Sequence, residues 1–479
     1  MGSRLSLAVA VLVACGLLVG AAAGGPPGRW TTVASGSGLG AAASEVGVAR
    51  TADGVLHVAY KQDTGPLTSV IRVRSITRVG RVGPDVVAVS GFGLAGDPAL
   101  VAVGGGLRMF FPAGAPIEGM LTATAPASGS PWSAPALVTN QELARARTPS
   151  VALAPDGVPL QTWYSVGDIA VHRGVTPGPV FTLPGAGGTN AQSNIAVDGS
   201  RAWVVWCRFG GGGPVGTIAQ QVNPASGAPA GPQLHLPGSS TTFEGTQYST
   251  CVLHATIARR TPLAARAGGG VYAAGTSGYP RINRVLVWRL DGGVSRTIVV
   301  ASTRSATHLG YSEPALAAAP DGRIWVAWIQ RDARGARIVA RRSNRAGTAF
   351  GAPVQVVPPG GISTGSVNLA AQADRTDLIA LLQGTGGALS IRHTQLWPGL
   401  TLVRGSVVRR GRNVIVTFRA LDAGEPVRGV RVRAGGRSAT TAANGTARIT
   451  LGRTARPRRL TATATRAGYV GARVSFRCC

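Results

Sequence analysis

The sequence predicts an all-β protein: a ring of seven like-built sheets, a seven-bladed β-propeller, followed by a small separate β-sandwich. Three observations predict it. A strand-turn-strand signature recurs along most of the chain at a nearly constant interval. No segment beyond the first two dozen residues reads as a helix. The last 76 residues break the interval and change sharply in charge.

The repeat is clearest in two copies. Pro149-Ser150-Val151-Ala152-Leu153-Ala154-Pro155-Asp156-Gly157 ends at Trp163, and Pro314-Ala315-Leu316-Ala317-Ala318-Ala319-Pro320-Asp321-Gly322 ends at Trp328 with the same spacing. Asp-Gly makes a tight hairpin because Gly adopts positive φ at little steric cost. Ile324, Val326 and Trp328 alternate onto one face, as a half-buried strand requires. Aligning on the turn gives positions 53, 105, 156, 198, 269, 321 and 374. The intervals are 52, 51, 42, 71, 52 and 53, so seven units fit, with an insertion near 238–260. Tyr60, Phe111, Trp163, Trp206, Trp328 and Leu381 fall in the aromatic slot, Trp206 one residue out of register. Trp132-Ser133-Ala134-Pro135 and Phe350-Gly351-Ala352-Pro353 place Pro at an outer strand, where a missing donor is tolerated; Gly178-Pro179 and Gly231-Pro232 are weaker versions. Trp30-Thr31-Thr32-Val33 is expected to close the ring as an outer strand of the last sheet, because an open edge invites aggregation.

At 44% hydrophobic and 14% charged residues the chain is globular and not disordered. Its net charge of +29 is almost wholly arginine, Lys61 being the only lysine. Residues 404–479 hold 17 Arg against Asp422 and Glu425, a net +15, and the preceding 403 residues carry only +14. Strands are predicted there at 414–420, 430–432, 446–451, 460–465 and 472–476, separated by Gly-rich turn signals. This basic module suits an anionic cell-envelope polymer. Its Arg404, Arg409, Arg410, Arg412, Arg453, Arg456, Arg458 and Arg459 are expected at either end of the sandwich. Nucleic acid is disfavoured, since no aromatic stacking pattern accompanies the arginines.

Residues 1–23 read as a secretion signal, with Arg4, an apolar run over 5–19 and Ala21-Ala22-Ala23 at the cleavage site. Leu12-Val13-Ala14-Cys15 supports a competing reading, lipid attachment at Cys15. No later segment resembles a membrane helix. An exported chain can hold disulfides, and Cys207 with Cys251 would join neighbouring repeats; two buried thiols are the alternative. Cys478-Cys479 ends the chain.

The pattern Pro-x-x-Ala-x-Ala-Pro-Asp-Gly, an aromatic six residues on, then aromatic-x-x-Pro, resembles the repeats of bacterial sialidase-like propellers over roughly 40–403. The resemblance is to the scaffold, because the Ser-x-Asp-x-Gly-x-x-Trp box of that family is absent. The C-terminal turn series resembles bacterial immunoglobulin-like and carboxypeptidase-regulatory-like sandwiches, which implies spacing or surface attachment. The expected domains are thus 1–23, 30–403 and 404–479.

Two constellations could carry chemistry. Glu45, Asp97 and Glu313 each begin a repeat, and in a propeller the first strands meet at the axis. Converging carboxylates could bind sugar hydroxyls, a structural calcium or a protein ligand, or act as a glycosidase pair; turn capping at each strand entry is the plain alternative. The sialidase resemblance implies a Tyr activated by Glu, for which Glu244 and Tyr248 are candidates. They lie in one local segment, however, and no Arg-Ile-Pro motif begins an arginine triad. His57 and the other histidines lack metal-ligand spacing, and no G-x-S-x-G elbow or phosphate-binding glycine loop is present. The expected function is a secreted, non-enzymatic propeller binding a glycan or surface protein; the alternative is a sialidase-like glycoside hydrolase or lyase.

Overall fold

The structure, a computed structural model, describes residues 28–39, 45–140, 147–165, 167–183, 193–208, 215–243, 246–251, 259–278, 281–384, 386–452 and 458–478. Residues 1–23, expected to be a secretion signal and including Cys15, lie outside these, as do Glu244, Arg453, Arg456 and Cys479. The described residues are all-β, with no α-helix among them.

Four-stranded antiparallel sheets follow one another along the chain, and each begins with a strand that leads into one of the seven aligned turns. In order these first strands are Gly47–Arg50, Ala99–Val103, Arg147–Leu153, Asn194–Asp198, Leu263–Ala265, His308–Ala318 and Thr364–Ala371. Each touches the next, and the last touches the first, so the first strands close a cycle about one axis. This is the arrangement of a β-propeller. The final sheet contains three strands from the C-terminal part of the repeats and a fourth from Thr31–Ser35. That fourth strand pairs antiparallel with Leu389–Leu396, Thr31 lying opposite His393, and closes the edge as the sequence predicts.

The core lies between neighbouring sheets, where second-strand aromatics pack. Trp163 meets Phe110 and Met120 of the preceding sheet, and Trp328 meets Tyr272 and Val287. Trp163 and Trp206 are fully buried, and aromatics of this size dominate core energetics. The last repeat departs from the expected slot. In the first, third and sixth turns the closing bond spans five residues, as from Ala154 N–H to Val158 O at 2.9 Å; here Gln372 N–H already reaches Arg375 O at 2.8 Å. Because strand faces alternate, a turn one residue shorter flips every later side chain. Ala380 therefore faces the preceding sheet, and Leu381 faces the first one.

The insertion forms a hairpin of Ser240–Phe243 and Thr246–Ser249. A disulfide joins Cys207, in the second strand of the fourth sheet, to Cys251 just beyond the hairpin, with Cα atoms 6.0 Å apart. Thr250 and Thr276 bond one another through hydroxyl and carbonyl, which fixes the same segment to the fifth sheet.

The C-terminal module is two sheets facing one core that includes Phe418, Val432, Ile449 and Phe476. Its first strand, Thr401–Arg410, begins ahead of the boundary at 404, because the change in charge lags behind the change in fold. The module docks on the sixth sheet. Arg342 pairs with Asp422, both almost wholly buried, and its guanidinium lies 5.8 Å from the ring centroids of Trp325 and Tyr469. Arg323 pairs with Glu425, which also accepts the Arg345 N–H at 2.9 Å. Both acids of the module are therefore turned toward the propeller.

Candidate functional site

The repeat brings the starts of the first strands to one end of the axis, around a cavity of about 270 Å³. Its wall carries Glu45, Glu313, Ser150, Asn194, Ser312, Ser366 and Asn368, with Thr276 from the second strand of the fifth sheet, Thr217 from the third strand of the fourth and Thr250 from the insertion. Val48, Leu100, Val151, Ile195 and Leu316 supply apolar surface between these groups. The mixture of convergent polar groups on apolar walls is the usual make-up of a small-ligand site.

Glu45 and Glu313 line this cavity, as their repeat position predicts. Asp97 does not; it is buried behind Glu45, beside that residue's backbone N–H. A sheet bulge falls at Glu313, and the chain takes a positive φ of 52° there. Thr148, at the equivalent position of the third sheet, has a bulge and a φ of 48°. Bulges re-aim side chains, and a non-glycine residue in this region costs about 1–3 kcal/mol, so packing holds these two turns in place.

The residues that sequence reasoning missed are Arg259 and Arg260, at the end of the insertion. Arg260 spans the first three sheets. Its guanidinium donates to Val46 O at 3.0 Å, Pro98 O at 2.8 Å and Pro149 O at 2.7 Å. Its backbone N–H donates to Glu45 Oε1 at 3.1 Å, and Asn368 Nδ2 donates to Glu45 Oε2 at 3.3 Å. Arg259 pairs with Glu313 and donates to Gly365 O. The only hint in the sequence is that two adjacent arginines precede Thr261-Pro262, where the fifth repeat begins.

Burial is the dominant electrostatic influence. It pushes the Glu313 carboxyl up to about 7 despite Arg259, and the Asp97 carboxyl up to about 7, with Glu45 adding repulsion. Glu45 is also raised by burial, against the pull of Arg260 and Arg259. Among the described residues no group of three or more His, Cys, Asp or Glu could hold a metal ion. Of the two wall carboxylates, Glu313 is paired with the Arg259 guanidinium, and Glu45 accepts the Arg260 backbone N–H.

Of the sialidase-type pair, Glu244 lies outside the described residues; Tyr248 sits half-buried in the insertion hairpin, away from the cavity wall. His57 is fully buried, its Nε2 3.5 Å from the Thr51 hydroxyl, and burial lowers its pKa.

No family model and no curated protein matches the chain. Among solved structures it is similar to a protein of unknown function from Dyadobacter fermentans. The two are 11% identical over 77% of this chain and 98% of that one, with a TM-score of 0.47. An exo-β-1,3-galactanase from Phanerochaete chrysosporium is 13% identical over 88% of this chain and 94% of its own, with a TM-score of 0.35. A GH43_1 enzyme from Xanthomonas citri, complexed with xylotriose, is 12% identical over 78% and 92%, with a TM-score of 0.35.

Proposed function

We propose that this chain is an exported glycan-binding protein, in which a seven-bladed propeller takes a sugar at its axial cavity and an immunoglobulin-like basic module holds it near an anionic surface. The single observation that carries the reading is the cavity itself. Its volume lies just below the ~300–1,000 Å³ typical of ligand pockets, a size for one sugar ring and not for a peptide. Hydroxyl and amide groups from several sheets converge there with Glu45 and Glu313, the donor and acceptor set a polyhydroxylated ring requires. Binding is favoured over hydrolysis because both wall carboxylates already have partners in Arg259, Arg260 and Asn368.

One observation favours the hydrolase reading. Glu313 titrates near neutrality, as a general acid for glycoside cleavage must. A glycan array, with fluorogenic glycosides including a sialoside, separates the two. The binding reading predicts capture of particular glycans without turnover, and at least a tenfold loss of capture in Glu313→Gln. Turnover abolished by Glu313→Gln would transfer the assignment to hydrolysis. Absence of both capture and turnover contradicts the cavity's role.

A further inference from the structure

We propose that the outer face of the last sheet, built from Arg437–Thr440, Arg431–Ala434, Arg458–Thr465 and Ala472–Cys478, binds a linear phosphodiester polymer. The inference rests on the surface-association part of the reading above and is independent of the axial cavity.

Strand alternation separates the two faces of this sheet. Val432, Ala434, Ala462, Ala464 and Phe476 point into the sandwich core. Arg431, Arg433, Arg459, Arg473 and Arg477 alternate with them, face outward and are exposed. The register orders them into rows: Arg433, Thr463 and Arg473 lie side by side on three strands, and Arg459 lies directly opposite Arg477. Between these rows Thr461 and Ser475 face one another, their hydroxyls 3.4 Å apart. A depression of about 720 Å³ opens at Arg459, Ser475, Phe476 and Arg477.

Like charges directly opposite across a sheet are destabilising. Residues 404–479 contain only two acids with which to offset them, and Asp422 and Glu425 are both spent on the propeller. Among the described residues none of the five arginines has an ion pair. The face is thus a positive strip with its neutralising charge missing, and it is complementary to a chain of anions. Guanidinium forks match phosphate oxygens two at a time. The interleaved hydroxyls can donate to the same oxygens. The outward residues of these rows are Arg, Thr and Ser, with no aromatic ring on which a base could stack. A phosphodiester-linked polyol therefore fits better than single-stranded nucleic acid.

The test is binding of fluorescent poly(glycerol phosphate) to the full chain over a salt series, with a thymidine oligonucleotide alongside. Two variants of equal charge are compared: Arg459→Ser with Arg477→Ser on this face, and Arg419→Ser with Arg448→Ser, exposed positions on the other sheet. We expect affinity to fall with salt, and the first variant to lose at least tenfold with a salt slope shallower by about 1–2. The second variant should change less than about twofold. The unliganded first variant should melt at or above the parent temperature, since it removes an opposed pair of like charges. No binding at low salt, equal losses in both variants, or tighter binding of the oligonucleotide would each overturn the proposal. Glycan capture by the first variant should be unchanged, so a failure here is distinguishable from a failure at the cavity.

Discussion

Asp97 is buried beside the Glu45 backbone, and burial raises its carboxyl to about 7. A carboxyl raised on folding favours the protonated native state, so its contribution to stability is full below the ordinary value near 4 and is lost as pH climbs to about 7. Glu313 acts in the same direction. Thermal stability should therefore decline between about pH 4 and 7 from these two groups and level off above. Asp97→Asn should flatten that decline and melt above the parent at pH 8, while matching it near pH 4. Melting curves of the two proteins across this range check it, and parallel curves would show that Asp97 is ionised throughout. The cleaner variant is Asp97→Asn, because Glu313→Gln also disturbs Arg259.

At the scale of elements, what was legible followed from local chemistry. Each aligned Asp-Gly or Gly-Gly turn had a steric reason, and each joins a first strand to a second. The convergence of Glu45 and Glu313 on the axial cavity was readable for the same reason, since a repeat forces equivalent residues to one end of the axis; Asp97, at the same repeat position, is buried behind Glu45 instead. The last turn misled because Asp374-Arg375 lacks the glycine, and a shorter turn moved Leu381 to the opposite face. Arg259 and Arg260 were not legible as site residues. They come from an insertion that breaks the interval, and their partners are backbone carbonyls of three distant strands. No side-chain pattern records such bonds. The arginine rows of the last module were not legible: of the eight arginines expected at the ends of the sandwich only Arg459 belongs to them, and the rows depend on register between strands far apart in sequence.

At the scale of the molecule, the propeller and the sandwich are joined by ion pairs between arginines of the propeller and the two acids of the sandwich. Arg342 is held between Trp325 and Tyr469 and neutralises Asp422, with both side chains buried. Removing one member of a buried pair leaves an uncompensated charge and costs about 3–5 kcal/mol. Arg342→Met should loosen the junction, splitting one melting transition into two and exposing the segment between the modules to protease. Adding Asp422→Leu should restore a single transition, because the stranded carboxylate is gone. A single unshifted transition in Arg342→Met would mean that apolar contact alone holds the modules together.

The central claim is that the closed ring makes an axial cavity and that this cavity is where a sugar binds. A crystal structure of the full chain with the best glycan from the array tests it most directly. The account predicts density for a sugar ring between Glu45 and Glu313, hydrogen-bonded to Ser312 or Asn368, with Arg260 still spanning the first three sheets. Sugar density on an outer strand or on the sandwich, with the axial cavity empty, would contradict it.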